Sequence, residues 1–198
     1  MTSYYQQRVE EKTAAYNALF NEAKDNPEIE RAADAIATAF ENGGKITSGG
    51  NGGSGSNADQ LIGEFVGRFR WMRGPLPAFT MPGIAGMTAV GNDFGFDQVF
   101  SRQVKALLKP GDVFVGYSTS GNSPNILEAI RAAKENGVTT IGFSGSGGKI
   151  KDEVDIPVVV SSTEPQTIEE IHLILTHLVC ELVENRICEN DPTARRLR

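Results

Sequence analysis

Asp112-Val113-Phe114-Val115-Gly116-Tyr117-Ser118-Thr119-Ser120-Gly121-Asn122-Ser123-Pro124 runs from an apolar stretch straight into a cluster of small hydroxyl residues. An amphipathic segment, Asn125 to Asn136, follows at once. The order is that of a strand handing over to a helix. Ser123 falls at the N-cap and Pro124 at the first helical position, where a missing N–H costs nothing. Such a helix start presents unpaired backbone N–H groups and the positive end of the helix dipole. The hydroxyls of Ser118, Thr119, Ser120 and Ser123 are grouped at the same point, so the turn suits a phosphate. No lysine follows in the Walker pattern, which argues against a nucleotide P-loop. An ordinary capped strand-to-helix turn is the plainer alternative.

A second turn of the same kind lies upstream. Lys45-Ile46-Thr47-Ser48 reads as a short strand, Gly49-Gly50-Asn51-Gly52-Gly53-Ser54 follows it, and a helical pattern then runs to Arg70. Glycines at 49, 50, 52 and 53 let backbone approach a ligand closely and weaken the turn locally. A ligand explains them better than stability does. Two phosphate-type or sugar-type turns at strand ends favour a site for a phosphorylated small molecule.

Around these turns, short apolar runs alternate with helical patterns. The runs fall at 44–48, 77–81, 112–117, 138–143 and 154–160, and the helical stretches at 54–70, 97–109, 124–136 and 166–189. Two helices precede them, at 4–22 and 27–42, the second with Ile29, Ala33, Ile36 and Phe40 on one face. This alternation predicts an α/β fold with a five-stranded parallel sheet flanked by helices. Ligands of such sheets sit beyond the carboxyl ends of the strands, near a topological switch point. No linker or repeat divides the chain, so residues 1–198 are expected to form one domain, with 190–198 as a tail. The last helical stretch carries Ile168, Ile171, Ile174, Leu175, Leu178, Val179, Leu182 and Val183. That stripe is wider than one sheet face requires. It reads either as a buried core helix or as one that, with the N-terminal helices, also packs on another subunit.

The net charge of −6 over 198 residues does not suggest a nucleic-acid surface. The Ala194-Arg195-Arg196-Leu197-Arg198 end reads as a solvated tail. No apolar run approaches the roughly 20 residues that span a bilayer, and Tyr4, Tyr5, Gln6 and Gln7 carry no signal-peptide pattern. Cys180 and Cys188 lie in one helical stretch, separated by about 12 Å of rise, too far to bridge. A reducing cytoplasm is the expected location.

Few side chains are suited to chemistry. The two histidines, His172 and His177, both fall in the last helix. Glu64 interrupts the apolar segment Leu61-Ile62-Gly63-Glu64-Phe65-Val66. Partial desolvation there would raise a carboxyl towards the range of a general base at neutral pH. The alternative is a structural carboxylate paired with Arg68 at i+4. Asn92 and Asp93 form a polar pair read as a loop, suited to sugar hydroxyls or to an Asx-turn.

Taken in order and spacing, several motifs resemble one family. They are Gly50-Asn51-Gly52-Gly53-Ser54, Gly63-Glu64-Phe65-Val66-Gly67-Arg68-Phe69, Val90-Gly91-Asn92-Asp93-Phe94-Gly95-Phe96, Phe100-Ser101-Arg102-Gln103-Val104, Ser118 to Ser123, and Glu170-Ile171-His172 through His177. Together they resemble the phosphoheptose (sedoheptulose 7-phosphate) isomerases of the sugar-isomerase, or SIS, domain superfamily, over about residues 25 to 186. The resemblance implies a flavodoxin-like SIS domain in a homotetramer, with active sites at subunit interfaces. It also implies interconversion of sedoheptulose 7-phosphate and D-glycero-D-manno-heptose 7-phosphate, the entry into heptose synthesis for bacterial surface polysaccharide. Carried over by position, Ser118, Thr119, Ser120 and Ser123 hold the phosphate. Asn51, Gly52, Gly53, Ser54, Asn92, Asp93 and Glu169 bind the substrate, and Glu64 and His177 transfer protons.

The sequence departs from the family at a metal site. Relatives commonly place a histidine four residues before the catalytic glutamate and a glutamine eight before the last histidine, completing a zinc site. Here those positions are Gln60 and Glu169. A quartet of Gln60, Glu64, Glu169 and His177 is harder and more anionic, shifting preference from zinc towards manganese, magnesium or no metal. Glu169 and His177 also rise about 12 Å apart along one helix, so they would meet an ion by reaching along the helix or from different subunits. Two other readings stay open: a phosphosugar-binding protein without turnover, of the kind that associates with a replication initiator, and an isomerase of another sugar phosphate.

Overall fold

Two helices open the computed structural model, which describes residues 3–197: α1 (Tyr4–Ala23) and α2 (Pro27–Glu41). Ser3 accepts the Gln6 backbone N–H while the Gln6 side chain accepts that of Ser3. Asn26 accepts from the Glu28 N–H ahead of Pro27. Both caps satisfy donors that the first helical turn cannot pair internally.

The remaining elements are β1 (Ile46–Gly50), α3 (Gly53–Val66), β2 (Trp71–Met72), β3 (Ala78–Thr80), α4 (Ile84–Phe94), a 3-10 turn at Phe96–Gln98, α5 (Ser101–Leu107), β4 (Val113–Ser118), α6 (Pro124–Glu135), β5 (Thr139–Gly145), α7 (Ile150–Glu153), β6 (Ile156–Val160), α8 (Pro165–Cys188) and β7 (Arg195–Arg196). The main sheet has five strands in the order β3-β1-β4-β5-β6, every neighbouring pair parallel. This is the expected α/β, flavodoxin-like arrangement. Its strand order reverses between β1 and β4, which opens a crevice at their carboxyl ends.

Period-two alternation along β4 builds both sides of the core. Val113, Val115 and Tyr117 enter the cluster formed with α2, α3 and α8, while Phe114 enters the cluster formed with α5, α6 and α7. All six β4 residues are buried, as a parallel strand covered on both faces requires. Asp112 locks the start of this strand. Its carboxylate accepts from the Lys45 N–H at 3.0 Å, Lys45 Nζ at 2.6 Å and the Lys109 N–H at 3.0 Å. Burial alone would push the Asp112 carboxyl up, but these bonds outweigh it and hold it below the usual carboxylate range.

Three expectations need correction. The helix expected to reach Arg70 stops at Val66, because a buried carboxylate takes the following backbone. Glu184 of α8 accepts the N–H groups of Phe69 (3.0 Å), Arg70 (2.5 Å) and Trp71 (3.1 Å) and pairs with Arg73 at 2.8 Å. Breaking a buried pair of this kind typically costs about 3–5 kcal/mol. Second, Asn92 and Asp93 lie at the end of α4 rather than in a loop. That helix buries none of its residues, so no periodic apolar face announced it. The stretch 97–109 is likewise split into the 3-10 turn and α5. Third, the basic end is not a free solvated tail. β7 pairs antiparallel with β2, and Arg196 reaches Glu181 at 3.3 Å; Arg198 lies outside the described residues. Both cysteines are free and buried, as their spacing requires.

α8 meets three environments. Ile168, Ile171, Leu175, Val179 and Val183 are buried against the sheet, whereas Ile174, Leu178 and Leu182 are exposed, Leu178 at 45%. His172 is fully buried among aromatic rings, edge-on to Phe143 at 5.6 Å and to Tyr117 at 6.0 Å. Neither ring nitrogen has a hydrogen-bond partner among the described residues. Burial pushes its pKa down to about 4, against a weak upward pull from the Ser144 backbone. An unfolded histidine titrates near 6.5, so the unfolded chain binds this proton first. Stability is therefore complete above about pH 6.5 and falls as pH drops towards 4. The urea midpoint should decline across that window, and His172→Phe should flatten the decline. Asp112 and Asp155, whose carboxyls are held low, lose their contributions only below about pH 4. A wild-type midpoint flat between pH 6.5 and 4.5 would contradict the assignment.

Candidate active site

The serine turn forms where β4 ends and α6 begins. Ser118, buried at the strand end, shares a hydrogen bond with the Ser123 hydroxyl at 2.9 Å and lies 3.5 Å from that of Ser120. Ser123 is the N-cap residue as expected, but its side chain makes no capping bond. The oxygen that would satisfy a helical N–H is turned towards the other serines. A hydroxyl cluster held over a helix start is suited to an anion.

The turn is braced from below by the loop after β5. Gly121 has φ +65°, and a Cβ there would lie 2.6 Å from the Gly147 carbonyl oxygen. Its own carbonyl accepts the N–H groups of Lys149 at 2.9 Å and Ile150 at 3.0 Å. A side chain at 121 would fail on both conformation and space.

The glycine turn stands beside it. Gly52 has φ +54° and caps α3 without a side chain. The Asn51 and Asn125 amides exchange two hydrogen bonds, of 2.9 and 2.8 Å, tying this turn to the first turn of α6. Sequence reasoning missed Asn125. Its signal was a polar residue beside Ile126 and Leu127 on the face of α6 that turns inward. Ser54 is buried in the first turn of α3. A cleft of about 420 Å3 opens next to the turn, between Gly49–Gly52, Asp59 and the Thr80–Ile84 segment.

α3 packs along α8 within the same chain. At one end, the Glu169 carboxylate lies so close to Gly53 that a Cβ there would sit 2.4 Å from its Oε2. Asn57 also donates to the Glu169 carbonyl at 2.9 Å. At the other end, Phe69 stacks on His177 with ring centroids 5.3 Å apart. Gln60 and Glu64 lie between these anchors, and the charge of Glu64 is felt at Cys180. Glu64 is half-buried. Its partner is Gln60, one turn back, which donates from Nε2. Arg68, the alternative partner, falls beyond the end of α3 and is exposed. His177 is half-buried with its Nε2 buried and unpartnered. Phe69, also missed in the sequence, is held by the Glu184 clamp and so fixes one face of the imidazole.

The structure thus groups Ser118, Ser120 and Ser123, with Thr119 in the same turn, and joins Asn51, Gly52, Gly53 and Ser54 to them through Asn125. Gln60, Glu64, Glu169 and His177 are distributed along the packed pair α3 and α8. Asn92 and Asp93 make no hydrogen bond to either group among the described residues. Both are exposed at the end of α4, and Asn92 donates to Asp93 at 2.8 Å.

The residues do not fit the zinc site that the resemblance implies. Among the described residues, no three His, Cys, Asp or Glu side chains are grouped as a metal centre. Gln60 turns its N–H to Glu64 rather than an oxygen to a common point. Glu169 is drawn to Gly53 at the far end of the α3–α8 contact from His177.

Comparison with known proteins identifies the family to which the fold belongs. The SIS domain family description matches residues 11–145. The chain is 44% identical to a phosphoheptose isomerase of Solidesulfovibrio magneticus, over 91% of this chain and 88% of the relative. It is 46% identical to that of Aquifex aeolicus, over 79% and 83%. Among solved structures, phosphoheptose isomerase from Neisseria gonorrhoeae superposes with a TM-score of 0.84 at 36% identity, covering 91% of this chain and 99% of that one. Likeness at this level, carried over nearly the full length of each partner, makes the chain a member of the phosphoheptose isomerase family within the SIS-domain proteins.

Proposed function

We propose that the chain interconverts sedoheptulose 7-phosphate and D-glycero-D-manno-heptose 7-phosphate through an enediol. The observation that carries this reading is a hydroxyl-lined helix start in a chain whose packed α3 and α8 also carry one carboxylate and one imidazole, Glu64 and His177. Their joint presence favours turnover over mere phosphosugar binding.

The phosphate is held by Ser118, Thr119, Ser120, Ser123 and the start of α6. Asn51, Gly52, Gly53, Ser54 and Glu169 meet the sugar hydroxyls. Glu64 removes the proton from C1 of the ketose, and the electron pair forms the C1–C2 double bond of the enediol. The Glu64 carboxyl, whose proton exchanges with solvent while the enediol is bound, then delivers a proton to C2. His177 moves a proton from the C1 oxygen to the C2 oxygen, so atoms and charge balance without another reactant. General acid–base catalysis of this kind contributes about 100-fold to 10,000-fold.

The working assembly in this reading is a homotetramer with sites at subunit contacts. Ile84, Phe94, Phe96, Ile174, Leu178 and Leu182 are all exposed, Ile84 at 87%, and in this reading they supply the apolar side chains of the subunit contacts. Asn92 and Asp93, exposed at the end of α4, would meet the sugar in this assembly. The N-terminal helices would share in the packing. The reaction belongs in the cytoplasm, supplying heptose for surface polysaccharide. No helix among the described residues is long and apolar enough to cross a membrane. A monomeric mass by sedimentation at micromolar concentration would remove the assembly.

Glu64→Gln should lower kcat by about 100-fold or more while leaving the substrate dissociation constant nearly unchanged. Full activity in that variant would exclude Glu64 as the base. Ser120→Ala should weaken binding of the sugar phosphate by about 1–3 kcal/mol, read by calorimetry, and an unchanged constant would take Ser120 out of the phosphate site.

A further inference from the structure

An ion bound between α3 and α8 would meet one amide, two carboxylates and one imidazole. The hydrogen bonding already settles how the nearest two are used. An ionised carboxylate only accepts, so Gln60 offers Glu64 its N–H. The amide oxygen, the one atom of Gln60 able to ligate a hard cation, is not the atom presented there. The bond engages Oε1 of Glu64 and leaves Oε2 to face a substrate carbon. Glu169 and His177 lie at opposite ends of the α3–α8 contact, beside Gly53 and Phe69. Gathering all four on one ion would break the Gln60–Glu64 bond and draw both anchored side chains inward.

We propose that Gln60 is a positioning residue, its amide N–H aiming the Glu64 carboxylate at carbon, and that this centre turns over without a bound divalent metal. The proposal rests on Glu64 being the carbon base. A hydrogen bond from a neighbouring turn fixes the carboxylate as a metal bond would, at no charge. The Nε2 of His177 has no partner among the described residues. Misplacing a catalytic group by about 1 Å can cost on the order of 100-fold in rate, which is the scale on which Gln60 matters.

The test uses the full chain, stripped with chelator and dialysed, in two arms. Zinc and manganese are titrated against a chromophoric chelator for the wild type and Gln60→His. Separately, kcat and KM on sedoheptulose 7-phosphate are measured for the wild type before and after stripping, and for Gln60→Met and Glu64→Gln. Expected are no stoichiometric tight site in the wild type, one gained in Gln60→His, and a wild-type kcat unchanged by stripping. Gln60→Met should lose about tenfold to a hundredfold in kcat with KM nearly unchanged. One equivalent of tightly held zinc or manganese in the wild type, with activity lost on its removal, would overturn the proposal. Full kcat in Gln60→Met beside an inactive Glu64→Gln would overturn the role of Gln60 alone. Full kcat in both would remove Glu64 as the base as well.

Discussion

Parallel pairing of β1 with β4 sets everything at the site. Their register places Gly50 opposite Tyr117, so both strands leave the sheet at the same level and at the point where strand order reverses. Two turns built for close approach are thereby forced side by side. The Asn51–Asn125 amide pair then locks one to the other. α6 and α3 both start from this point, and α8 lies along α3. The hydroxyl cluster and the glycine turn are neighbours because two strands are neighbours.

From that arrangement, buried polar groups carry geometry outward. Glu184 holds the backbone from Phe69 to Trp71 and the Arg73 side chain, out of reach of solvent. The clamp ends α3 early and turns Phe69 onto the His177 ring. A desolvated charge is a costly fastening, and here it sits two turns along α8 from the imidazole it orients. α8 divides its surface accordingly. One face fills the core, one packs along α3, and one leaves Ile174, Leu178 and Leu182 uncovered.

Much of this was legible in the sequence, for physical reasons that differ by element. The five strands and the α6 start were readable because apolar runs, an N-cap serine and a first-turn proline act locally. The glycine turn was readable because its cost in stability demands a use. The end of α3 was not, since Gly67 to Arg70 continue a helical pattern that only a distant carboxylate interrupts. α4 was hidden because it buries nothing within one chain. Asn125 and Phe69 act through partners 74 residues away at Asn51 and on α8, beyond any local pattern. The resemblance supplied the roles of Glu64 and His177. Periodicity alone marked one as a misplaced carboxylate and the other as a helical histidine.

The central claim is that a carboxylate and an imidazole beside the serine turn shuttle protons on a captured phosphosugar. Turnover of sedoheptulose 7-phosphate in heavy water, followed by NMR, addresses it most directly. Carboxylate-mediated transfer through an enediol predicts an aldose 7-phosphate carrying solvent deuterium at C2. Absence of any aldose product, or an aldose formed wholly without deuterium at that carbon, would contradict the account.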